Sequence, residues 1–225
     1  MILANFNLFP LWNSLRIALL ATIIIFFLGL FLAYYVRKFP KVVKGICDVI
    51  LTLPLVLPPT VCGYILILIF GPKHPFGAFL LQFGVRFFMD WKGGILAASF
   101  VAFPLMYRTA RGAFESFDEN LAYAGKTLGL SNTRIFWTIR VPNCKNGIIA
   151  GTVLAFARAL GEYGATSMLI GFSPNTTATI STTVANAWNN GNEQIALIWV
   201  GINVVISAVV LIAINIFEGK QKGAK

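Results

Sequence analysis

Apolar residues run along this chain in long blocks, and the polar residues collect between them. Five blocks stand out, at residues 14–36, 46–70, 93–108, 146–171 and 195–217. A helix that crosses a bilayer needs about 20 mostly apolar residues. The pattern therefore predicts an all-α, polytopic membrane helix bundle of about five spanning helices. Little chain is left for a soluble domain, so residues 1–225 read as one transmembrane domain. The first block lacks a basic leader and stays apolar as far as Val36, which suits a retained helix better than a cleaved signal.

The second block contains Leu53-Pro54-Leu55-Val56-Leu57-Pro58-Pro59-Thr60. Proline removes a backbone donor and clashes with the preceding turn. In lipid the freed carbonyls need partners, so this span should be broken and should face protein or a water-filled path. A passive packing kink is the rival explanation. Residues 71–91 follow as a loop rich in phenylalanine, with a short surface helix expected over residues 76–83.

Residues 112–146 form the longest polar stretch. Leu121, Ala124, Gly125 and Leu128 recur at helical spacing within residues 114–128. Leu128-Gly129-Leu130-Ser131-Asn132 should then turn the chain. Ser131 or Asn132 would cap a second helix over residues 133–141, and Pro142 should stop it. A unit of this size suits docking on a partner. Its carboxylates Glu115 and Glu119 read as a solvated face.

The fourth block is dense in Gly and Ala, which let membrane helices approach closely. It also carries Arg158 and Glu162, one helical turn apart. Arg158 falls about 18 Å from the end of the block nearest the polar stretch, close to mid-membrane. A charge there is costly, and it marks either an anion path with its counterion or a self-neutralising structural pair. Residues 172–183 are uncharged and rich in hydroxyls. They could form a surface or re-entrant helix, and a sixth span is the alternative if residues 176–189 enter the membrane.

Composition agrees with this picture. Hydrophobic residues make up 57% of the chain and charged ones 12%, against about 25% charged in soluble domains. The net charge of +10 invites a nucleic-acid reading, but its distribution argues against one. With five spans, Arg37, Lys38, Lys41, Lys44, Arg108, Arg111, Lys126, Arg134, Arg140, Lys145, Lys220, Lys222 and Lys225 all fall on one side. Lysine and arginine concentrate in cytoplasmic loops, so the N-terminus should lie outside and the C-terminus in the cytoplasm. Cys47, Cys62 and Cys144 form no CxxC pair, and His74 is the one histidine, so neither metal nor disulfide chemistry is indicated. No Walker A, GxSxG or HExxH sequence occurs, so no enzyme activity and no cofactor are expected.

The polar stretch resembles the cytoplasmic motif of bacterial ABC-importer permeases: Glu-Ala-Ala, three residues, Gly, nine residues, Ile-x-Leu-Pro. Here Gly129 is followed by nine residues and then Ile139-Arg140-Val141-Pro142. Ala124 matches the middle alanine, with Tyr123 in place of Glu and Gly125 in place of the second Ala. The proline-rich second block, continued through Val61-Cys62-Gly63-Tyr64, resembles the second-helix signature of the molybdate permeases. Residues 151–166, reading GTVLAFARALGEYGAT, are similar to their fourth-helix signature. Sulfate and tungstate permeases carry much of the same pattern, and the compact length favours molybdate. A stand-alone channel or ion-coupled carrier is the more distant alternative.

The resemblance implies a type I ABC importer permease fold in the inner membrane. It implies a homodimer set in lipid, a cytoplasmic ATP-binding cassette ATPase dimer beneath, and an extracytoplasmic molybdate-binding protein above. ATPase coupling would fall to residues 113–142, through Leu121, Ala124, Gly125, Leu128, Gly129, Ile139 and Pro142. The translocation path would involve Pro58, Pro59, Thr60, Gly63, Arg158 and Glu162.

Overall fold

The computed structural model describes residues 7–222, with side chains described through Ile212. Lys220, Lys222 and Lys225 of the basic tail lie outside the described side chains, and residues 1–6 lie outside the described chain. No strand occurs among the described residues. The first apolar block is one helix, α1 (Phe9–Val36). Its Ile17, Ala18, Ala21, Ile25, Leu30 and Ala33 are buried, whereas Leu19, Ile23, Phe27 and Phe31 are exposed. A helix apolar all round but buried on one side needs lipid or another chain on the other.

The second block breaks as its prolines require. It forms α2 (Lys41–Val56) and α3 (Pro59–Phe70), bent by 114° across Leu57 and Pro58. Pro58 cannot donate to the carbonyl of Pro54 four residues back, and the buried Cys62 thiol donates there instead at 3.9 Å. A surface helix, α4 (Pro75–Gln82), follows, one residue from where the sequence puts it.

The third block extends further than its apolar part. Helix α5 (Trp91–Glu115) continues seven residues past Arg108. It forms the axis of the bundle, with Ala97, Ala98, Val101, Ala102, Met106, Tyr107 and Ala110 buried. On one flank it packs with α1 and with α9 (Lys145–Leu160) around a shared core. On the other it packs with α3 and α10 (Gly164–Ile170) around Cys62, Leu66, Ala165 and Leu169. At its far end Arg16 of α1 lies over the Trp91 ring, 3.4 Å from the centroid.

The polar stretch folds as α6 (Glu119–Thr127), α7 (Asn132–Ile135), a π-helical turn (Phe136–Arg140) and α8 (Val141–Asn143). Pro142 does not stop the chain, which passes through Cys144 directly into α9. A proline is tolerated here because it sits in the first turn of its short helix, where its missing N–H costs nothing.

The fourth block is not the single helix expected. It breaks after Leu160 and resumes at Gly164, giving α9 and α10. After α10, Thr179 and Thr182 form a capping box that starts α11 (Ile180–Asn189). At 10 residues α11 is too short for a sixth span. The Ile180 N–H donates to Ser14 Oγ at 2.8 Å and Asn13 Nδ2 to the Ala178 carbonyl at 2.9 Å, tying this segment to α1. The last block is α12 (Glu193–Lys222). By length and hydropathy, α1 and α12 qualify as spans, and the bent α2–α3 pair as a third. Helix α5 and the α9–α10 pair are less apolar along their length, with buried faces rich in Gly and Ala and with Arg158 and Glu162 at the α9–α10 break.

Candidate functional site

Two groups of residues, far apart on the bundle, carry the candidate chemistry. The first lies at the polar end. Asp118 caps α6 by accepting from the Asn120 N–H at 3.0 Å, and Ser131 caps α7 by accepting from the Arg134 N–H at 3.3 Å. Between them Gly129 has φ +77°. Its N–H donates to the Lys126 carbonyl at 2.9 Å, and the Leu130 N–H reaches the Gly125 carbonyl at 3.1 Å. This is a Schellman ending, which places its C′ residue in the left-handed region. Nothing lies within 4 Å of where a Gly129 side chain would be, so backbone conformation rather than space selects glycine.

This turn folds α6 back against α7 and the π-helical turn. Gly125 is buried there, with Ile139 Cδ1 2.8 Å from where its Cβ would be. Leu121, Ala124 and Leu128 lie exposed along one flank, Leu128 at 79%. Pro142 is exposed, and Ile139 is half-buried. The expected coupling residues therefore divide. Leu121, Ala124, Leu128 and Pro142 present a surface, Gly125 and Ile139 pack inside the unit, and the exposed Gly129 sets its turn.

A charged cluster fastens this unit to the bundle. Glu119 Oε1 accepts from Arg37 Nη1 at 2.5 Å and from Arg140 Nη1 at 2.7 Å, and its Oε2 accepts from Arg140 Nη2 at 2.9 Å. Arg140 is 5% exposed and lies 4.5 Å over the Phe117 ring. Arg37 also donates to the Phe114 carbonyl at 3.1 Å. The fork of Arg140, with help from Arg37, holds the Glu119 carboxyl well below its usual range, at about 2. A second cluster joins α2 to α5. Lys44 and Arg111 both bind Glu115, at 2.5 and 3.0 Å, and Arg111 also pairs with Asp48, which accepts from Tyr107 Oη at 2.5 Å.

Glu115 is exposed and Glu119 half-buried, and both are held in ion pairs rather than left free. Apart from Arg111, four residues before Glu115, their partners lie 71, 82 and 21 residues away, and no local pattern announces those pairs. The one available signal was the run of cations at residues 37–44 entering the same side as the acidic stretch.

The second group gathers where the two broken helix pairs, α2–α3 and α9–α10, meet. Helices α3 and α10 cross closely. A Cβ on Gly63 would sit 2.9 Å from the Ala165 backbone, and one on Gly164 would sit 2.7 Å from Pro59 Cβ and 3.2 Å from the Thr60 nitrogen. Pro58 and Thr60 are exposed beside this crossing, and Pro59 is half-buried. Arg158 lies in the last turn of α9, and its Nη1 binds Glu162 Oε2 at 2.7 Å. The pair forms although Glu162 lies past the end of the helix. Glu162 Oε1 accepts the Ala165 N–H at 2.7 Å, so this buried carboxylate supports the first turn of α10. The side chain of Arg158 is 32% exposed and that of Glu162 is 1% exposed. The arrangement is one fixed carboxylate and one guanidinium that still presents donors at the break.

The chain is similar to known proteins along nearly its whole length. Residues 25–222 match the family model described as "Binding-protein-dependent transport system inner membrane component". The "Molybdenum transport system permease protein ModB" of Escherichia coli (strain K12) is 42% identical over 176 residues, covering 76% of this chain and 77% of that protein. The "Putative molybdenum transport system permease protein YvgM" of Bacillus subtilis (strain 168) is 37% identical over 208 residues, covering 92% and 91%. Among solved structures, a bacterial ABC transporter involved in the import of alginate superposes with a TM-score of 0.75. It is 17% identical and covers 95% of this chain and 79% of that one. The paired broken helices, the turned polar unit and these matches agree: the chain belongs to the family of inner membrane components of binding-protein-dependent transport systems.

Proposed function

We propose that this chain is the permease subunit of an ABC importer that carries molybdate across the cytoplasmic membrane. The observation that carries this reading is the pair of molybdenum permeases, 42% and 37% identical over most of the chain. The geometry supports it. The break between α9 and α10 offers Arg158 to an oxyanion, while Glu162 offsets the charge and prevents a deep binding trap. A conducting site must release its ion as readily as it accepts it. Thr60 supplies a hydroxyl beside the same break.

The exposed apolar face of Leu121, Ala124 and Leu128 receives a separate ATPase, and the Glu119 cluster carries its movement to α1 and the π-helical turn. Two copies of the chain enclose the path. A binding protein delivers the anion on the side opposite α6, with the N-terminus outside and the C-terminus in the cytoplasm. In proteoliposomes containing the permease and its ATPase, labelled molybdate should accumulate only when ATP is inside and the binding protein outside. Accumulation without ATP would favour a channel or an ion-coupled carrier.

A further inference from the structure

We propose that a groove on the outer face of α1 holds one anionic phospholipid in the leaflet nearest α6. The groove has a volume of about 610 Å³ and lies between α1 and the segment formed by the start of α7 and the π-helical turn. Phe27, Phe31 and Tyr35 line it from α1, Phe136 and Trp137 line it from the π-helical turn, and Lys38 stands at its mouth.

Length, polarity and charge favour this occupant together. From Phe27 to Val36, the last residue of α1, the helix rises about 14 Å, close to the roughly 15 Å depth of one hydrocarbon leaflet, and Lys38 follows just beyond. Phe27 and Phe31 are 58% and 56% exposed on a helix long and apolar enough to span, so the groove opens toward lipid tails. Its second wall comes from a different element. Phe136 packs on Tyr34 with ring centroids 4.8 Å apart, while Trp137 stays 49% exposed beside the opening. An acyl chain laid here touches aromatic surface on two sides, which the open bilayer does not offer.

The headgroup end is positive. Lys38 Nζ lies 3.9 Å over the Tyr34 ring and 5.0 Å from Tyr35. Among the described residues Lys38 makes no ion pair, whereas the neighbouring Arg37 is engaged by Glu119. A lipid phosphate bearing a net negative charge completes Lys38, and a zwitterionic headgroup does so less well. The inference holds whatever anion the importer carries.

Trp137 makes the site measurable. The full chain is placed in phosphatidylcholine vesicles containing either brominated phosphatidylglycerol or brominated phosphatidylcholine. The emission of Trp137 is obtained by difference from Trp137→Phe. Brominated phosphatidylglycerol should quench it at about fivefold lower mole fraction, the preference expected of one lysine at a membrane surface. Lys38→Gln should abolish that preference, and Lys38→Arg should retain it. Equal quenching by the two lipids would show ordinary bilayer contact only and overturn the proposal. No quenching by either would show the groove covered by protein, a second copy or the ATPase, and would overturn it equally.

Discussion

Glu119 sits where three elements meet, and it shows how much one carboxylate can organise. It joins the end of α1 through Arg37, the π-helical turn through Arg140, and α6, whose first turn it occupies. Replacing it with glutamine leaves a buried guanidinium short of its counter-charge. The expected cost is about 1 to 2 kcal/mol, kept low because the carboxylate is 39% exposed, and a lower thermal midpoint in detergent would register it. The pH dependence has a definite sign. The folded carboxyl titrates at about 2 against an ordinary 4.5. Its contribution is therefore complete above about pH 4.5 and is lost as pH falls from there toward 2. Acidification from about pH 5 to pH 3 should lower the midpoint of the parent chain more than that of Glu119→Gln. An equal fall in both would place the stabilising contact elsewhere.

Among the elements, the two breaks and the one turn matter most. The α2–α3 break was legible in the sequence because prolines announce themselves. The Gly129 turn was legible because a glycine between two amphipathic runs has few other uses. The α9–α10 break was not legible. Gly161 and Gly164 also suit close packing of an unbroken membrane helix, and Arg158 and Glu162 at helical spacing favoured continuity. What breaks the helix is the Glu162 carboxylate, which takes the Ala165 N–H and so starts a new helix. No spacing rule signals that.

Three substitutions test this scale. Gly63→Leu should push α3 off α10, because even a Cβ meets the Ala165 backbone at 2.9 Å. Overpacking of this kind costs about 1 to 3 kcal/mol. Gly45→Leu, with nothing within 4 Å of its Cβ position, should be neutral by comparison in the same thermal assay. Gly129→Pro removes the donor to Lys126 and excludes φ +77°. The protein should still insert, but the ATPase recovered with it on pull-down should fall about tenfold, the effect of losing roughly 1.4 kcal/mol. Undiminished recovery would show that this turn does not form the docking unit.

For the molecule as a whole, what remains uncovered is as informative as the core. Val42, Val49 and Val56 of α2 are 74%, 65% and 83% exposed, at successive seven-residue steps. A stripe of this kind belongs against lipid or a second copy. The whole-chain reading of apolar blocks separated by basic loops was available from the sequence because the bilayer imposes it. The ion-pair clusters that hold the polar end to the bundle were not, since they join residues from separate blocks. A path at the two broken helices and a motor docked at α6 would together make one importer, and the transported anion decides whether the two ends serve one purpose.

The most direct measurement is uptake of labelled molybdate at trace concentration by cells with and without this gene, in the presence of excess sulfate or tungstate. The account predicts that uptake is lost on deletion and, when the gene is present, is blocked by tungstate and unaffected by sulfate. Molybdate uptake unchanged by deletion, with sulfate uptake impaired, would contradict it and move the protein to the sulfate permeases.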